Sequence, residues 1–259
     1  MGFIPNKENI LTYLDVIREA KPRKEIFKYI FRRMRGKRLN FDRDVFITNA
    51  GGVLNCGRSM NNCTVACSRF ERELTPMFDG VDVAIDIGAN IGRHTVAIAK
   101  NASIVFAVEP DTDSYKLLSE NIILNKLGEK VVPLNVACSD KEGEVTFFRD
   151  EFYPTSNSIT VKKNDSMTEE KVKCSTVDII CKDQDIDLIK VDVEGGELDV
   201  LKGAFNTITR FEPIIIFEAW NDAAAEEIKE YLNNWDYKYT KLDEFNYLAK
   251  VDIAWGNKK

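Results

Sequence analysis

The fold of this chain is decided by the stretch Val81-Asp-Val-Ala-Ile-Asp-Ile-Gly-Ala-Asn-Ile-Gly-Arg-His-Thr-Val-Ala-Ile-Ala99. An apolar run ends around the carboxylate of Asp86, glycines follow at positions 88 and 92, and apolar residues then return with helical spacing. This order predicts a strand, a tight turn and a helix. Glycine lets a turn approach a ligand closely, and open α/β sheets bind ligands at the carboxyl ends of their strands.

A second apolar segment, Ile104-Val-Phe-Ala-Val108, follows about twenty residues after the first and is predicted to be the neighbouring strand. It ends in Glu109, the position at which an acidic side chain would accept hydrogen bonds from ribose hydroxyls. The glycine turn and this acid together predict a site for a nucleoside cofactor.

The composition of the turn indicates which cofactor it would bind. A dinucleotide requires the pattern G-x-G-x-x-G, whose backbone N–H groups receive a pyrophosphate. Here the pattern is Asp86-x-Gly88-x-Asn90-x-Gly92, with a carboxylate directly before the glycines. An acid repels pyrophosphate but suits the ammonium and sulfonium groups of S-adenosylmethionine. The turn therefore favours a methyl donor over NAD.

Four segments resemble the successive motifs of FkbM-type S-adenosylmethionine-dependent methyltransferases. They are Asp86-Ile-Gly-Ala-Asn-Ile-Gly-Arg-His-Thr95, Val108-Glu-Pro110, Val136-Ala-Cys-Ser-Asp140 and Ile189-Lys-Val-Asp-Val-Glu-Gly-Gly-Glu-Leu-Asp-Val-Leu-Lys-Gly-Ala204. The resemblance runs from about residue 79 to the C-terminus. It implies an α/β class I methyltransferase fold, a doubly wound, Rossmann-like and mostly parallel sheet of seven strands. It also implies methyl transfer to a hydroxyl of a sugar, a glycan precursor or another small metabolite.

The chain has 259 residues, of which 44% are hydrophobic, enough for one large domain and an extension. We place the boundary at Pro76, between a mainly helical, basic extension (1–76) and the methyltransferase domain (77–259). Further strands are expected at 131–136, 143–148, 172–180, 187–193 and 213–217, with an antiparallel pair at 238–242 and 247–255. Helices are expected at 9–20, 63–74, 111–126, 197–208 and 223–235, and a short hairpin at 40–54.

The candidate cofactor-binding residues lie at or after the ends of the first four predicted strands of the sheet. They are Asp86, Gly88, Ala89, Asn90, Gly92, His94, Glu109, Pro110, Ala137 and Asp192. The candidate catalytic residues are Asp192, Glu194, Glu218 and His94.

Asp192 is our first choice as the general base. It belongs to a group of acids with Glu194 and Glu197 at the end of the fourth strand, where burial beside other carboxylates would raise its pKa. A structural alternative is that Asp192 caps the following helix. A second alternative is a divalent cation such as Mg²⁺, bound by Asp192 with Glu218, Asn221 and Asp222, which we do not favour.

His94 is the only histidine and stands at the start of the first helix of the domain. It could contact the cofactor or accept a proton. A helix N-terminus lowers the pKa of a histidine, however, and a packing or capping role is equally compatible with the position.

The segment Lys21–Arg38 carries nine Lys or Arg residues and one acid, although the whole chain has a net charge of −6. Such a segment could bind nucleic acid, anionic lipid headgroups or a phosphorylated substrate carrier, or it could simply be a solvated helix face. The apolar stripe of the preceding helix makes a homodimer reasonable.

Two alternatives to sugar methylation remain at this point. The basic segment permits an RNA methyltransferase, although the proline-containing motif of base methylation is missing after Asp192. A domain that binds the cofactor without catalysis would leave the acids at both strand ends unexplained.

No apolar run reaches the length of a membrane span and no signal-peptide core is present, so we expect a soluble, cytoplasmic protein with reduced thiols. The spacing of Cys56, Cys63 and Cys67 does not match a common zinc or iron–sulfur site.

Overall fold

A computed structural model describes residues 7–34, 41–49, 51–67, 69, 71–150, 157–160, 162, 165 and 167–251. In the N-terminal part, the elements are α1 (Lys7–Glu19), β1 (Ala20–Lys21), α2 (Arg23–Met34), β2 (Phe46–Thr48), β3 (Val53–Asn55), α3 (Met60–Ala66) and a 3₁₀ helix (Thr75–Phe78). The three strands form a small antiparallel sheet in the order β1-β2-β3. The predicted helix at 63–74 is wrong: the Ser59 side chain caps α3 and the helix ends at Ala66.

The N-terminal part packs on the rest of the chain through an apolar cluster. Ile26 and Leu54 share this cluster with Ile91 and Val96, which follow the glycine turn. Polar contacts add to it, because the Asn121 and Asn125 side chains hydrogen-bond to the backbone of β3. Residues on both sides of Pro76 share this apolar cluster. The domain boundary at Pro76 therefore stays a prediction.

Much of the positive charge of α2 is paired within the protein. Lys28 Nζ lies 3.1 Å from Asp42 and 3.2 Å from Glu25, and Arg32 lies 3.0 Å from Asp42. Two aromatic side chains on the same helix, Phe27 and Phe31, are exposed. Residues 35–38 of the basic segment lie outside the described residues, and its proposed anionic partners stay a prediction.

The remaining elements alternate as a doubly wound fold requires. They are β4 (Val83–Ile87), α4 (Arg93–Ile98), β5 (Ile104–Val108), α5 (Thr112–Leu124), β6 (Val131–Leu134), β7 (Ala137–Cys138), β8 (Gly143–Arg149), β9 (Thr168–Ser175), α6 (Val177–Ile180), β10 (Leu188–Val191), α7 (Glu197–Lys202), α8 (Phe205–Phe211), β11 (Ile214–Glu218), α9 (Asp222–Leu232), a 3₁₀ turn (Asn233–Trp235), β12 (Tyr237–Lys241) and β13 (Asn246–Val251).

Seven of these strands form the central sheet, in the order β12-β13-β11-β10-β4-β5-β6. The five strands from β11 to β6 are parallel, whereas β13 pairs antiparallel with both β11 and β12. This confirms the predicted fold class and the antiparallel pair at the end, although residues 252–255 lie outside the described part. Strands β4, β10 and β11 lie at the centre because both of their faces are apolar and buried, as parallel sheets require.

Two expectations about the sequence between these strands need correction. The predicted strand at 172–180 is a strand only to Ser175, because Thr176 caps the short helix α6. With β7 and β8, β9 forms a separate sheet in the order β7-β9-β8. The predicted helix 197–208 is two helices, α7 and α8, interrupted at Gly203, where a Cβ would overlap the carbonyl oxygen of Ser139.

Within the described residues, no helix combines the length and the apolar character that crossing a membrane would require.

Candidate active site

A pocket opens at the carboxyl ends of β4, β5, β10 and β11, which is where open α/β sheets bind ligands. Its lining comes from the loops that follow these strands, from α4, from the small sheet and from residues near α3. The lining residues are Val65, Glu71, Ile87, Gly88, Ala89, Asn90, Arg93, His94, Val108, Glu109, Pro110, Ala137, Cys138, Phe147, Asn157, Ser158, Ile159, Lys190, Asp192, Val193, Glu194 and Glu218.

Both glycines of the turn after β4 have a positive φ, and each also leaves room for a neighbouring part of the protein. A Cβ on Gly88, at φ +77°, would overlap the carbonyl oxygen of Asp192. A Cβ on Gly92, at φ +89°, would lie 2.7 Å from the side chain of Leu118. The glycines therefore admit neighbouring parts of the protein itself, and Gly88 joins the turn directly to the end of β10.

Glu109 is held in one orientation at the end of β5. Its Oε2 accepts a hydrogen bond from the backbone N–H of Asn90, and its Oε1 accepts one from the N–H of Asp111, each at 2.8 Å. The side chain is buried, and this burial raises its pKa to about 8 in spite of the two N–H donors. Each oxygen keeps lone-pair capacity for a further donor, such as a hydroxyl.

The side chain of Asn90 faces the same end of the pocket with unused hydrogen-bonding capacity. Its Oδ1 is buried and has no hydrogen-bond partner among the described residues. A buried acceptor without a donor is unfavourable, so its presence in a pocket indicates that a ligand supplies the donor. Asn90 and Glu109 thus form a pair of acceptors that fit the hydroxyl and amino groups of a nucleoside.

Lys190 lies beneath the pocket, fully buried in the middle of an apolar strand. Its Nζ is 3.2 Å from Asp192 Oδ2 and 3.6 Å from Asp86 Oδ1. Burial alone would lower the pKa of Lys190, but the carboxylates of Asp192, Asp86 and Glu71 raise it above the ordinary value. Lys190 is therefore a permanent cation that compensates part of the acidity above it.

Three carboxylates crowd the other end of the pocket. Oxygens of Asp192, Glu194 and Glu218 lie within 4.8 Å of one another. Burial, followed by the charges of Asp192 and Glu194, raises the pKa of Glu218 well above the ordinary value. Like charges at this separation cannot all be ionised at low cost, so Glu218 retains a proton. Asp192, which the sequence analysis expected to be buried, is half-buried, as Glu218 is, and is paired with Lys190.

Other acids of the predicted group have structural duties. Glu197 Oε1 accepts hydrogen bonds from the N–H groups of Val193 and Gly195 and so shapes the loop after β10. Helix α7 begins after Gly196 without a side-chain cap, so Asp192 is not the cap of this helix. Asn221 caps α9 through the N–H of Ala224 rather than joining Asp192 as a metal ligand. Acidic groups also cluster without a metal, and this trio alone supports no metal assignment.

His94 lines the pocket, but it is buried and engaged. Its Nε2 lies 2.6 Å from Glu71 Oε2, and Arg93 Nη1 lies 3.4 Å from its Nδ1. Because Arg93 can only donate, Nδ1 is the acceptor and Nε2 carries the proton towards Glu71. Burial, followed by the positive charges of Arg93 and Lys190, lowers the pKa of His94 well below the ordinary value. A neutral ring fixed in this way is suited to packing and positioning.

One side of the pocket is closed by the small sheet and by residues between its strands β8 and β9. Phe147 from β8 lines the pocket, and so do Asn157 and Ser158. The Ser158 hydroxyl donates to the carbonyl oxygen of Glu194 at 3.0 Å, which ties this segment to the loop after β10. Arg149 anchors the same strand by pairing with Asp111 at 2.7 Å and with Asp113.

Most of the predicted site residues are brought together in this pocket. The exceptions are Asp86, which is fully buried beneath the turn and accepts from the Thr95 hydroxyl at 2.6 Å, and Gly92, which begins α4. Sequence reasoning missed Lys190, Glu71 and Phe147, although it included Ala137 of the small sheet. A lysine within the apolar strand of residues 188–191 was a usable signal, because lysine is almost never fully buried unless it is paired.

Comparisons with known proteins agree with this geometry. The family model of the methyltransferase FkbM domain matches residues 86–239. The hexuronic acid methyltransferase AglP of Haloferax volcanii is 34% identical over 140 residues, covering 52% of this chain and 55% of AglP. The methyltransferase sdnD of Sordaria araneosa is 28% identical over 171 residues, covering 52% of this chain and 65% of sdnD. The chain thus spans only part of each relative.

A crystal structure of an FkbM methyltransferase from Methylobacillus flagellatus has the same fold, with a TM-score of 0.51 and 18% identity. The match covers 65% of this chain and 43% of that protein.

Proposed function

The chain belongs to the FkbM methyltransferase family, and from this premise we propose that it transfers a methyl group from S-adenosylmethionine to a hydroxyl of a sugar or sugar-containing metabolite. One observation carries the proposal. A single pocket joins two buried acceptors, Asn90 and Glu109, at one end to the carboxylates of Asp192, Glu194 and Glu218 at the other. The first set suits the nucleoside of a donor, and the second suits an acceptor that must lose a proton.

The residues present fit this donor. Glu109 would hold the ribose hydroxyls, because its oxygens retain lone pairs in a dry setting, and Asn90 Oδ1 would receive a donor that it lacks within the described residues. The carboxylates around Lys190 outnumber the cations, so this end of the pocket attracts a positively charged sulfonium. When bound, the sulfonium supplies an already activated methyl group.

The protein's own part in the reaction is to position the acceptor and to take its proton. A bond forms between the acceptor oxygen and the methyl carbon while the sulfur–methyl bond breaks, and the sulfur keeps the electron pair. The hydroxyl proton passes to the carboxylate of Asp192, whose Oδ2 lies 3.2 Å from the Lys190 ammonium. Glu218 already holds a proton, so it orients Asp192 rather than acting as the base.

The relative AglP, whose name states a hexuronic acid substrate, supports a sugar as the class of acceptor. The carboxylates beside Lys190 support a hydroxyl, rather than an acid group, as the position that is methylated. A carboxylate acceptor would require no proton removal, and the acidic end of the pocket would repel it.

Labelled methyl transfer tests the proposal directly. The full chain is incubated with S-adenosylmethionine that carries an isotopic methyl group and with a panel of simple glycosides, and the products are identified by mass spectrometry. We expect label on a sugar oxygen, and calorimetry should show that S-adenosylmethionine and S-adenosylhomocysteine bind. Failure of both compounds to bind would overturn the donor assignment, and label found only on nitrogen or on a nucleic acid would overturn the acceptor class.

A further inference from the structure

An aromatic side chain hydrogen-bonds to Glu218, a residue that lines the acidic end of the pocket, and has no role in the chemistry described so far. Trp220 follows β11 by two residues, and its side chain is 53% exposed. Large aromatic side chains are normally buried for most of their area, so an exposed one next to a reaction site calls for an explanation.

The ring of Trp220 is held in place rather than left free to turn. Its Nε1 donates a hydrogen bond to Glu218 Oε2 at 3.1 Å. On another side it contacts Phe245, with ring centroids 5.5 Å apart and an interplanar angle of 33°. The loop that carries Phe245 is tied to β11 in turn, because the backbone N–H of Ala219 donates to the Phe245 carbonyl oxygen at 2.9 Å.

These contacts place Trp220 beside the carboxylates assigned to the acceptor. Glu218 lines the pocket and bonds to Trp220, and an oxygen of Glu218 lies within 4.8 Å of oxygens of Asp192 and Glu194. A molecule resting on the exposed part of the indole would therefore have its edge next to the proposed base.

The chemistry of an indole face selects what rests on it. The face carries the negative end of the ring quadrupole and attracts weakly positive C–H groups as well as excluding water from apolar surface. A pyranose ring presents such a C–H face and has hydroxyl groups around its edge. It can stack on the indole while its hydroxyls reach the carboxylates.

The charge of the acidic end sets a second condition. Among the described lining residues, Asp192 and Glu194 are partly exposed, whereas the cationic side chains of Lys190 and Arg93 are buried. A negatively charged sugar would meet carboxylates before it met either cation, and like charges repel.

We propose that Trp220 is the platform of an acceptor subsite that binds an uncharged pyranose ring by stacking, in preference to a uronic acid. The assignment rests on the proposed function, and it names the class of sugar that the same site would accept.

Saturation-transfer NMR on the full chain tests this subsite without requiring turnover. The probes are methyl β-D-glucopyranoside and the corresponding uronic acid, each titrated with and without S-adenosylhomocysteine. We expect transfer to the C–H protons of one face of the neutral sugar and about tenfold weaker binding in Trp220→Ala, with most of the affinity restored in Trp220→Phe. Phe205→Ala is the matched control, since Phe205 is 51% exposed and contacts Trp235 instead.

The outcomes separate this inference from the proposed function. If S-adenosylhomocysteine binds the wild type but neither sugar does, or if Trp220→Ala binds the glucoside as the wild type does, the subsite is overturned while the donor assignment stands. Tighter binding of the uronide than of the glucoside would overturn the charge preference. If the glucoside binds through Trp220 and S-adenosylhomocysteine does not bind, the subsite stands and the donor assignment fails.

Discussion

The two ends of the pocket differ in what surrounds their acidic side chains. At the β4–β5 end, two backbone N–H groups hold the oxygens of Glu109 in place. At the β10–β11 end, Asp192, Glu194 and Glu218 crowd together, and one buried lysine offsets only part of their charge. An acid that the backbone immobilises suits recognition of a constant ligand. A crowded group that shares protons suits a step in which a proton moves.

The largest effect should come from removing Asp192, because it is proposed to accept a proton whereas Glu109 only binds the donor. We expect Asp192→Asn to lower kcat about a thousandfold, because the acceptor proton loses its destination, while the affinity for S-adenosylhomocysteine, which has no sulfonium, changes little. Steady-state kinetics and calorimetry on the same preparation check this. Asp199→Asn is the control, since Asp199 pairs with Lys202 on α7 outside the pocket and its loss should leave kcat unchanged. A variant at Asp192 that retains turnover would remove its role as base.

The next largest effect tests the physical link between the two ends. In Gly88→Ala, the new Cβ would overlap the carbonyl oxygen of Asp192, so we expect the free energy of unfolding to fall by about 3 kcal/mol or more. Gly80→Ala is a matched control, because Gly80 has φ +80° and a Cβ added there would have no neighbouring atom within 4 Å, so only the backbone strain of about 1 kcal/mol applies. Urea titrations measure both, and equal losses would show that the close approach is unimportant.

At the β4–β5 end, Glu109 should affect both the affinity for the donor and the number of protons that are released when the donor binds. Glu109 has a pKa of about 8, so it is mostly protonated at neutral pH in the free protein. Ribose hydroxyls that donate to it favour the carboxylate and lower this pKa, so binding should release up to about one proton. Calorimetry in buffers of different ionisation enthalpy measures the release. Glu109→Gln should bind about tenfold more weakly and should abolish the release; an unchanged release would contradict the ribose assignment.

The smallest expected effect is a difference in proton release between two ligands that differ in charge at the β10–β11 end of the pocket. S-adenosylmethionine and S-adenosylhomocysteine share a ribose, but only the first carries a sulfonium. A nearby positive charge lowers the raised pKa of Glu218, so the methyl donor should release a fraction of a proton more than its product does. The same calorimetry in Glu218→Gln should remove this difference and leave the Glu109 release intact. An equal release from both ligands in the wild type would mean that the acids do not sense the donor's charge.

The central sheet was accessible from the sequence because its signals are local. The apolar strands that became β4, β5, β10 and β11, each ending at a glycine turn or an acid, were recognisable by period and length. Errors arose where distant contacts decided the outcome. Residues 203–204 interrupt a helix where the N–H of Asp178 donates to the Gly203 carbonyl oxygen and the Asp178 carboxylate accepts from N–H groups at the start of α8. Because Asp178 lies far from this segment in the chain, residues 197–208 alone do not specify these contacts.

Local apolar patterns in the sequence were enough to place the strand-end acids and the glycine turn at one edge of a parallel sheet. The contacts that these residues make there are visible only in the folded chain. Gly88 makes room for Asp192, Lys190 pairs with Asp192, Glu218 has a raised pKa, and Trp220 bonds to Glu218. Those roles depend on distances of a few ångströms between residues far apart in the chain, and burial and charge at that range decide which acid is ionised.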